Sequence, residues 1–319
     1  MSHSFSKILV TGGAGFIGSH IADKLLIEGY EVGLLDDFST GSEANLPTNG
    51  HLRIHRGDIT SQDFVRTIVK DYEIIIHQAA LVSVTRSVED PLRTHRVNVD
   101  GTINLLNESI RSNIQLFIYA SSSSIYGETE VLPKREDILP KPISPYAASK
   151  LAAENYCRVY AKVYGLNTIC LRYFNVYGPR QRIGPYSGVI PIFTNRLLSN
   201  QPPIIYGDGT QTRDFTYVSD IVQANILCLN NHHKPGEFLN IATGTPTSVH
   251  RVAEILSELT GKKYLHPIYE DPRPGDIQHS YAEIHKAEET LGYKPKVNLP
   301  QGLRATLNWF SSTHHAVSN

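Results

Sequence analysis

Three observations predict a doubly wound α/β fold on a parallel sheet. Short β-branched runs alternate with helical patterns as far as Tyr173. A glycine-rich loop stands where the first run turns into a helix. Beyond Tyr173 the alternation gives way to short helices and loops crowded with glycine and proline.

The elements read in order. Lys7–Thr11 (KILVT) is a strand, and Ile17, Ile21, Leu25 and Leu26 repeat at helical spacing after it. Residues 31–35 form a second strand and 52–55 a third, which ends at Gly57-Asp58. A helix around 64–69 leads to a fourth strand at 73–77. Residues 98–112 read as a long helix, 116–120 as a fifth strand, 144–164 as a long helix and 168–172 as a sixth strand. Alternation of this kind implies a parallel sheet with helices on both faces. Right-handed crossovers then put ligands at the carboxyl ends of the strands. In the later part, helices are expected at 190–198, 219–229, 248–259 and 301–310, with 238–241 returning to the main sheet. The expected division is a nucleotide-binding domain over 1–174, with a return segment near 215–241, and a smaller, mainly C-terminal substrate domain over 175–319.

Bulk composition narrows the function classes. The 319 residues are 40% hydrophobic and 19% charged, enough for a core that needs neither disulfides nor metal. A net charge of −1, with both signs interspersed, argues against a general nucleic-acid or anionic-membrane binder. Cys157, Cys170 and Cys228 lack metal-ligand spacing and read as reduced thiols. Residues 1–7 lack the apolar core of a signal peptide, and no stretch approaches the roughly 20 apolar residues of a membrane span. A cytoplasmic location is expected. The histidines within 230–234 and at 314–315 read as a solvated loop and a tail, with no metal site.

The loop at 11–18 reads TGGAGFIG. Gly12 allows a tight turn, Gly15 lets the backbone approach a pyrophosphate, and Gly18 lets the helix pack against the strand. The helix start at Phe16 and Ile17 offers free N–H groups and a positive dipole end, the Rossmann arrangement for a dinucleotide. Asp36 and Asp37 end the second strand, where a carboxylate accepts from ribose hydroxyls and repels a 2′-phosphate. NAD is therefore expected in preference to NADP. Asp58 and Ile59 follow the third strand, in place to cap the adenine. Ala79 and Ala80 follow the fourth, small enough to admit the cofactor.

Tyr146 and Lys150 form a YxxxK pair on one face of the 144–164 helix. A free phenol titrates near pH 10, and a nearby ammonium favours its ionised form, giving a general base. Ser122, in SSSSIYG at 121–127, offers a hydroxyl to the reacting oxygen. YxxxK alone is compatible with an ordinary amphipathic helix, and a serine run with a polar loop. Their order behind a dinucleotide loop gives them weight.

With these motifs and LLDDFSTG, HQAALVSV, LRYFNVYGPR, YGDGTQTRDFTYVSD and RPGD, the chain resembles the extended short-chain dehydrogenase/reductase family. Within it, the nucleotide-sugar 4-epimerases are the nearest in pattern, over residue 8 to about 280. The resemblance implies Ser122, Tyr146 and Lys150 as the catalytic set, with Asn98 and Phe174 near the cofactor. It implies Arg213 and Arg273 on the diphosphate or uridine, Asn175 on the sugar diphosphate, Tyr206 beside uracil and Asp276 on a ribose hydroxyl. Ser123 and Ser124 stand where sugar dehydratases carry their acid and carboxylate, and related decarboxylases carry a glutamate at the Ser124 position. Neither serine can act as such an acid or base.

Epimerisation needs less: Tyr146 takes the C4 hydroxyl proton as hydride leaves for NAD, and the 4-keto sugar turns and is reduced on its other face. Ser280 falls where related epimerases vary between a tyrosine and a small residue. A small residue leaves room for an N-acetyl group, so UDP-N-acetylglucosamine and UDP-N-acetylgalactosamine are expected substrates, with UDP-glucose and UDP-galactose as further ones. A UDP-glucuronate 4-epimerase or decarboxylase on the same fold is the near rival, and an NAD-sensing regulator without catalysis is the rival of another class. The family implies a homodimer, paired through the 98–112 and 144–164 helices.

Overall fold

Glycine punctuation and strand registry set the frame of the fold. The computed structural model describes residues 7–48, 50–184, 187–230, 233–272 and 277–317. The main sheet is built from β1 (Lys7–Thr11), β2 (Glu31–Asp36), β3 (Leu52–Arg56), β4 (Ile74–His77), β5 (Leu116–Ser122), β6 (Thr168–Tyr173) and β7 (Glu237–Ile241). Their order is β7-β6-β5-β4-β1-β2-β3, and every neighbouring pair is parallel. The order reverses between β1 and β4, which opens a crevice at the carboxyl ends of the strands.

Alternation along the strands divides the core. Ile8 and Val10 pack on one face with Ile21 and Leu25 of α1 (Phe16–Ile27), while Leu9 packs on the other with Val65 of α2 (Gln62–Val69). The long α6 (Pro145–Tyr164) covers that second face through Ala153 and Cys157. A separate apolar cluster gathers Phe193, Leu197, Val252, Leu256 and Leu303 from the later helices.

Between β4 and β5 the chain differs from the expected single helix. It forms α3 (Val84–Glu89), α4 (Pro91–His95), a π-helical turn at Arg96–Asp100 and α5 (Gly101–Arg111). The first two have local causes: the Ser83 side chain accepts from Arg86 N, and Asp90 accepts from Arg93 N with Pro91 opening the helix. The extra residue of the π turn places Asn98, whose amide bonds both the N–H and the carbonyl of Leu81. Among the described residues, no helix is long and apolar enough to cross a membrane.

Candidate active site

The glycine loop is shaped by contacts that only a bare Cα permits. Gly12 has φ +67°, and a Cβ there would meet Ala79 N at 2.7 Å. A Cβ on Gly18 would come within 2.2 Å of the Gly12 carbonyl oxygen. Gly15 opens α1 with no side-chain cap, leaving the helix N-terminus to a ligand. Against this terminus lies a cleft of about 480 Å³, walled by Gly15, Asp36, Asp58, Ile59, Ala79 and Ala80 among others. Gly12, Phe16, Ile17, Gly18 and Asp37 also line it. An open donor set, a Cβ-free floor and acidic residues at the strand ends fit a dinucleotide.

Asp36 has a double duty. It is almost buried, and its two oxygens accept from Ala14 N (2.9 Å) and Phe38 N (2.8 Å). Burial raises its pKa, while those two backbone bonds oppose the shift. Each oxygen retains a second lone pair for a ribose hydroxyl. Asp37 is exposed and accepts from Ser39 N and Oγ, and Asp58 accepts from Thr60 N.

Behind the cleft floor, a fully buried His77 sets hydrogen-bond direction. Ala79 N donates to Thr11 Oγ1, whose hydroxyl lies 2.7 Å from His77 Nδ1 and donates to it once the ring's single proton is placed on Nε2. On the other side Thr102 donates to Asn98 O, so His77 Nε2 carries the proton and donates to Thr102 Oγ1 at 2.9 Å. This assignment of the tautomer follows from the network. Burial, helped by nearby Lys150, lowers the imidazole pKa to about 3.

The structure brings Ser122 and Tyr146 together at the carboxyl end of β5. The Ser122 side chain acts on the Tyr146 phenol, favouring its ionised form. Ser122 also accepts from Ser124 N (3.2 Å) and Ser124 Oγ (2.9 Å) as Ser123–Tyr126 turns into a short 3₁₀ helix. Lys150, on the same helix, has its own partners. Its ammonium donates to the Ala120 carbonyl at 3.0 Å, toward β5, and lies 5.1 Å from the Tyr119 ring. Burial drives its pKa down to about 7. Burial also raises the Tyr146 pKa, and the Ser122 bond is what opposes that rise. The Ala120 carbonyl thus holds the ammonium at the end of β5.

The remaining residues are placed as follows. Asn98 is buried and donates to Ser149 Oγ at 2.9 Å as well as clasping Leu81. The Phe174 side chain is fully buried beside Tyr126, Ile125 and Ala242, and its N–H donates to the Ile241 carbonyl. Asn175 is exposed, and its carbonyl accepts from Thr216 N. Arg213 lies in a short strand opposite Ser280, which is buried, and donates to the Thr212 and Gln278 carbonyls. Tyr206 is half-buried in an open hollow of about 1220 Å³ with Tyr269 and Gly207. Arg273 and Asp276 lie outside the described residues.

Sequence reasoning passed over Lys134. It is fully buried, donates to the Gly127 carbonyl at 3.0 Å, and has its pKa lowered to about 8 by burial and then by Arg213. A lysine between proline and charged residues in LPKRE gives no signal of burial. The Arg172–Glu154 pair beneath the serine turn was also missed.

Residues 8–242 match the NAD dependent epimerase/dehydratase family. The chain belongs to that family. Its cofactor is accordingly NAD, and its chemistry that of an isomerase-type enzyme on nucleotide sugars. Among solved structures, UDP-glucose 4-epimerase of Thermotoga maritima, determined with UDP-glucose, is 41% identical with TM-score 0.92, over 97% of this chain and 99% of that one. UDP-N-acetylglucosamine 4-epimerase of Methanobrevibacter ruminantium, in complex with UDP-N-acetylmuramic acid, is 39% identical with TM-score 0.93, over 98% and 100%. The UDP-N-acetyl-alpha-D-glucosaminuronate decarboxylase of Bacillus cytotoxicus is 35% identical over 95% of this chain and 97% of its own length.

Proposed function

We propose that this family member is an NAD-dependent UDP-sugar 4-epimerase whose substrates include UDP-N-acetylglucosamine and UDP-N-acetylgalactosamine. The juxtaposition of Tyr146 with Ser122 at the carboxyl end of β5 carries the reading, because it sets a hydroxyl pair suited to proton transfer on a chain with a dinucleotide cleft. NAD, when bound, accepts and returns the C4 hydride. The chain does the rest. Ser122 orients the sugar hydroxyl and Tyr146 exchanges its proton. Lys150 adds positive charge near the cofactor, and Asp36 meets the adenosine ribose. Gly12, Gly15 and Gly18 admit the diphosphate to the start of α1. On the substrate side, Arg213 and Arg273 fit phosphate oxygens, and Asn175, Tyr206 and Asp276 fit the nucleotide.

Ser123 and Ser124 cannot supply the acid–base pair of a dehydratase or the glutamate of a decarboxylase. The Bacillus cytotoxicus relative keeps uronate chemistry as the second reading. A proton NMR time course with UDP-N-acetylglucosamine and no added NAD tests the first reading. Growth of the axial-C4 epimer is the expected result. Inertness toward it, toward UDP-glucose with NAD added, and turnover of UDP-glucuronate alone would transfer the assignment to the uronate enzyme.

The small Ser280 side chain, opposite Arg213, is the feature proposed to admit an N-acetyl group. Ser280→Tyr is expected to reduce kcat/KM for N-acetylated sugars at least ~10-fold while sparing UDP-glucose. Equal losses on both sugars would remove Ser280 from specificity. Tyr156, Val159 and Val163 form an exposed apolar stripe on α6, which fits burial against a second copy of the chain. The mass in solution tests that dimer.

A further inference from the structure

Two backbone groups of Tyr146 are held by side chains from outside the proposed catalytic set. Tyr146 is the second residue of α6, after Pro145, so its N–H has no partner within the helix. Ser144 satisfies Ala147 N, one residue further on. Tyr146 N instead donates to Ser87 Oγ of α3 at 3.0 Å. Ser87 is 1% exposed, and its hydroxyl proton is already committed to the Val84 carbonyl. Its lone pairs are therefore fixed toward Tyr146. On the other side the Tyr146 carbonyl accepts from Ser149 Oγ (2.8 Å), itself held by Asn98.

We propose that Ser87 is a positioning residue for Tyr146, fixing the first turn of α6 so that the phenol meets Ser122. This rests on the reading of Tyr146 as the proton-transfer group. The argument is geometric. A tyrosine hydroxyl stands far from its own backbone, so a small rotation of the helix start moves the oxygen by a larger distance. The Ser87 bond opposes that rotation at its origin. The same short helix follows directly on Leu81 and Val82, which wall the dinucleotide cleft. Ser87 therefore ties the tyrosine to the segment the cofactor touches, while Asn98 ties Leu81 to the π turn.

Ser122 lowers the Tyr146 pKa, so displacing the phenol from Ser122 is expected to raise it. The test is an NMR titration of the NAD-bound protein labelled with [¹³Cζ]tyrosine, with no substrate present. The Tyr146 signal is assigned by its loss in Tyr146→Phe. Ser87→Ala and Ser122→Ala are each expected to raise the Tyr146 pKa, and the double variant to raise it no further than Ser122→Ala alone. Ser87→Thr, which keeps an acceptor, should restore the titration. With a substrate that the wild type turns over, Ser87→Ala should lower kcat roughly tenfold with KM nearly unchanged.

A Ser87→Ala protein that melts earlier but titrates as wild type would make Ser87 merely structural, as would additive shifts in the double variant. If Ser87→Ala does not fold, Ser87→Cys carries the same comparison with a weaker acceptor. The titration needs no turnover, so inactivity toward UDP-sugars would count against the proposed function and leave this inference to be judged by the titration.

Discussion

Tyr146→Phe is expected to lose C4 epimerisation by on the order of 10³-fold, the largest single effect on turnover, without loss of bound NAD. The variant removes one oxygen from a nearly buried ring, so packing is retained and the protein should fold. What disappears is the hydroxyl on which Ser122 acts. Burial raises the phenol pKa, so at neutral pH the wild-type hydroxyl is protonated before ligands bind. A base of that kind gains activity as pH rises toward its pKa, and wild-type turnover should climb through the mildly alkaline range. The residual rate of Tyr146→Phe should be flat there. Initial rates by NMR at several pH values check both statements. A Phe variant within about tenfold of wild type would remove Tyr146 from the chemistry.

Breaking the Arg172–Glu154 pair is expected to have the largest effect on stability. Both side chains are almost wholly buried, and they meet as a two-pronged pair at 3.1 Å and 2.6 Å. Ser121, the neighbour of Ser122, donates to Glu154 at 2.6 Å, and Arg172 donates to the Tyr126 hydroxyl at 2.7 Å. That hydroxyl donates on to Asn240 of β7. Removing one partner strands a charge with no solvent, a cost of about 3–5 kcal/mol. Arg172→Met or Glu154→Gln should therefore lower Tm by roughly 10 °C. The double variant Arg172→Met/Glu154→Leu should recover much of that loss, because two apolar groups leave no orphan charge. Its activity should remain low, since Ser121 has lost the acceptor that anchors the serine turn. Scanning calorimetry beside turnover separates the two effects, and a double variant no more stable than the singles would refute the charge argument.

The sheet was legible in the sequence because parallel strands, buried on both faces, appear as unbroken apolar runs such as LFIYA and EIIIH. The glycine loop was legible for a similar reason, since each glycine answers a steric demand that no other residue meets. The stretch between β4 and β5 was harder. Its two short helices are fixed by the caps Ser83 and Asp90, and the following π turn depends on Asn98 finding Leu81, a tertiary contact with no local signature. Spacing placed Tyr146 and Lys150 on one helix correctly, but could not show that the ammonium donates to the Ala120 carbonyl. Likewise nothing in the sequence marked Lys134 and Arg172 as buried, because burial of a cation depends on partners distant in sequence.

The neutral imidazole at His77 has a consequence for acid tolerance. Folded, it resists protonation until about pH 3, whereas in the unfolded chain it titrates near its ordinary value of 6.5. Between those values the unfolded chain binds the extra proton, so stability falls as pH drops from about 6.5 and the loss is complete below about 3. A His77→Gln protein, having no proton to gain, should show a shallower fall in Tm from pH 7 to pH 5. A strut between two threonines thus makes the fold sensitive to acid, so an acidifying compartment would erode stability at a residue outside the proposed catalytic set.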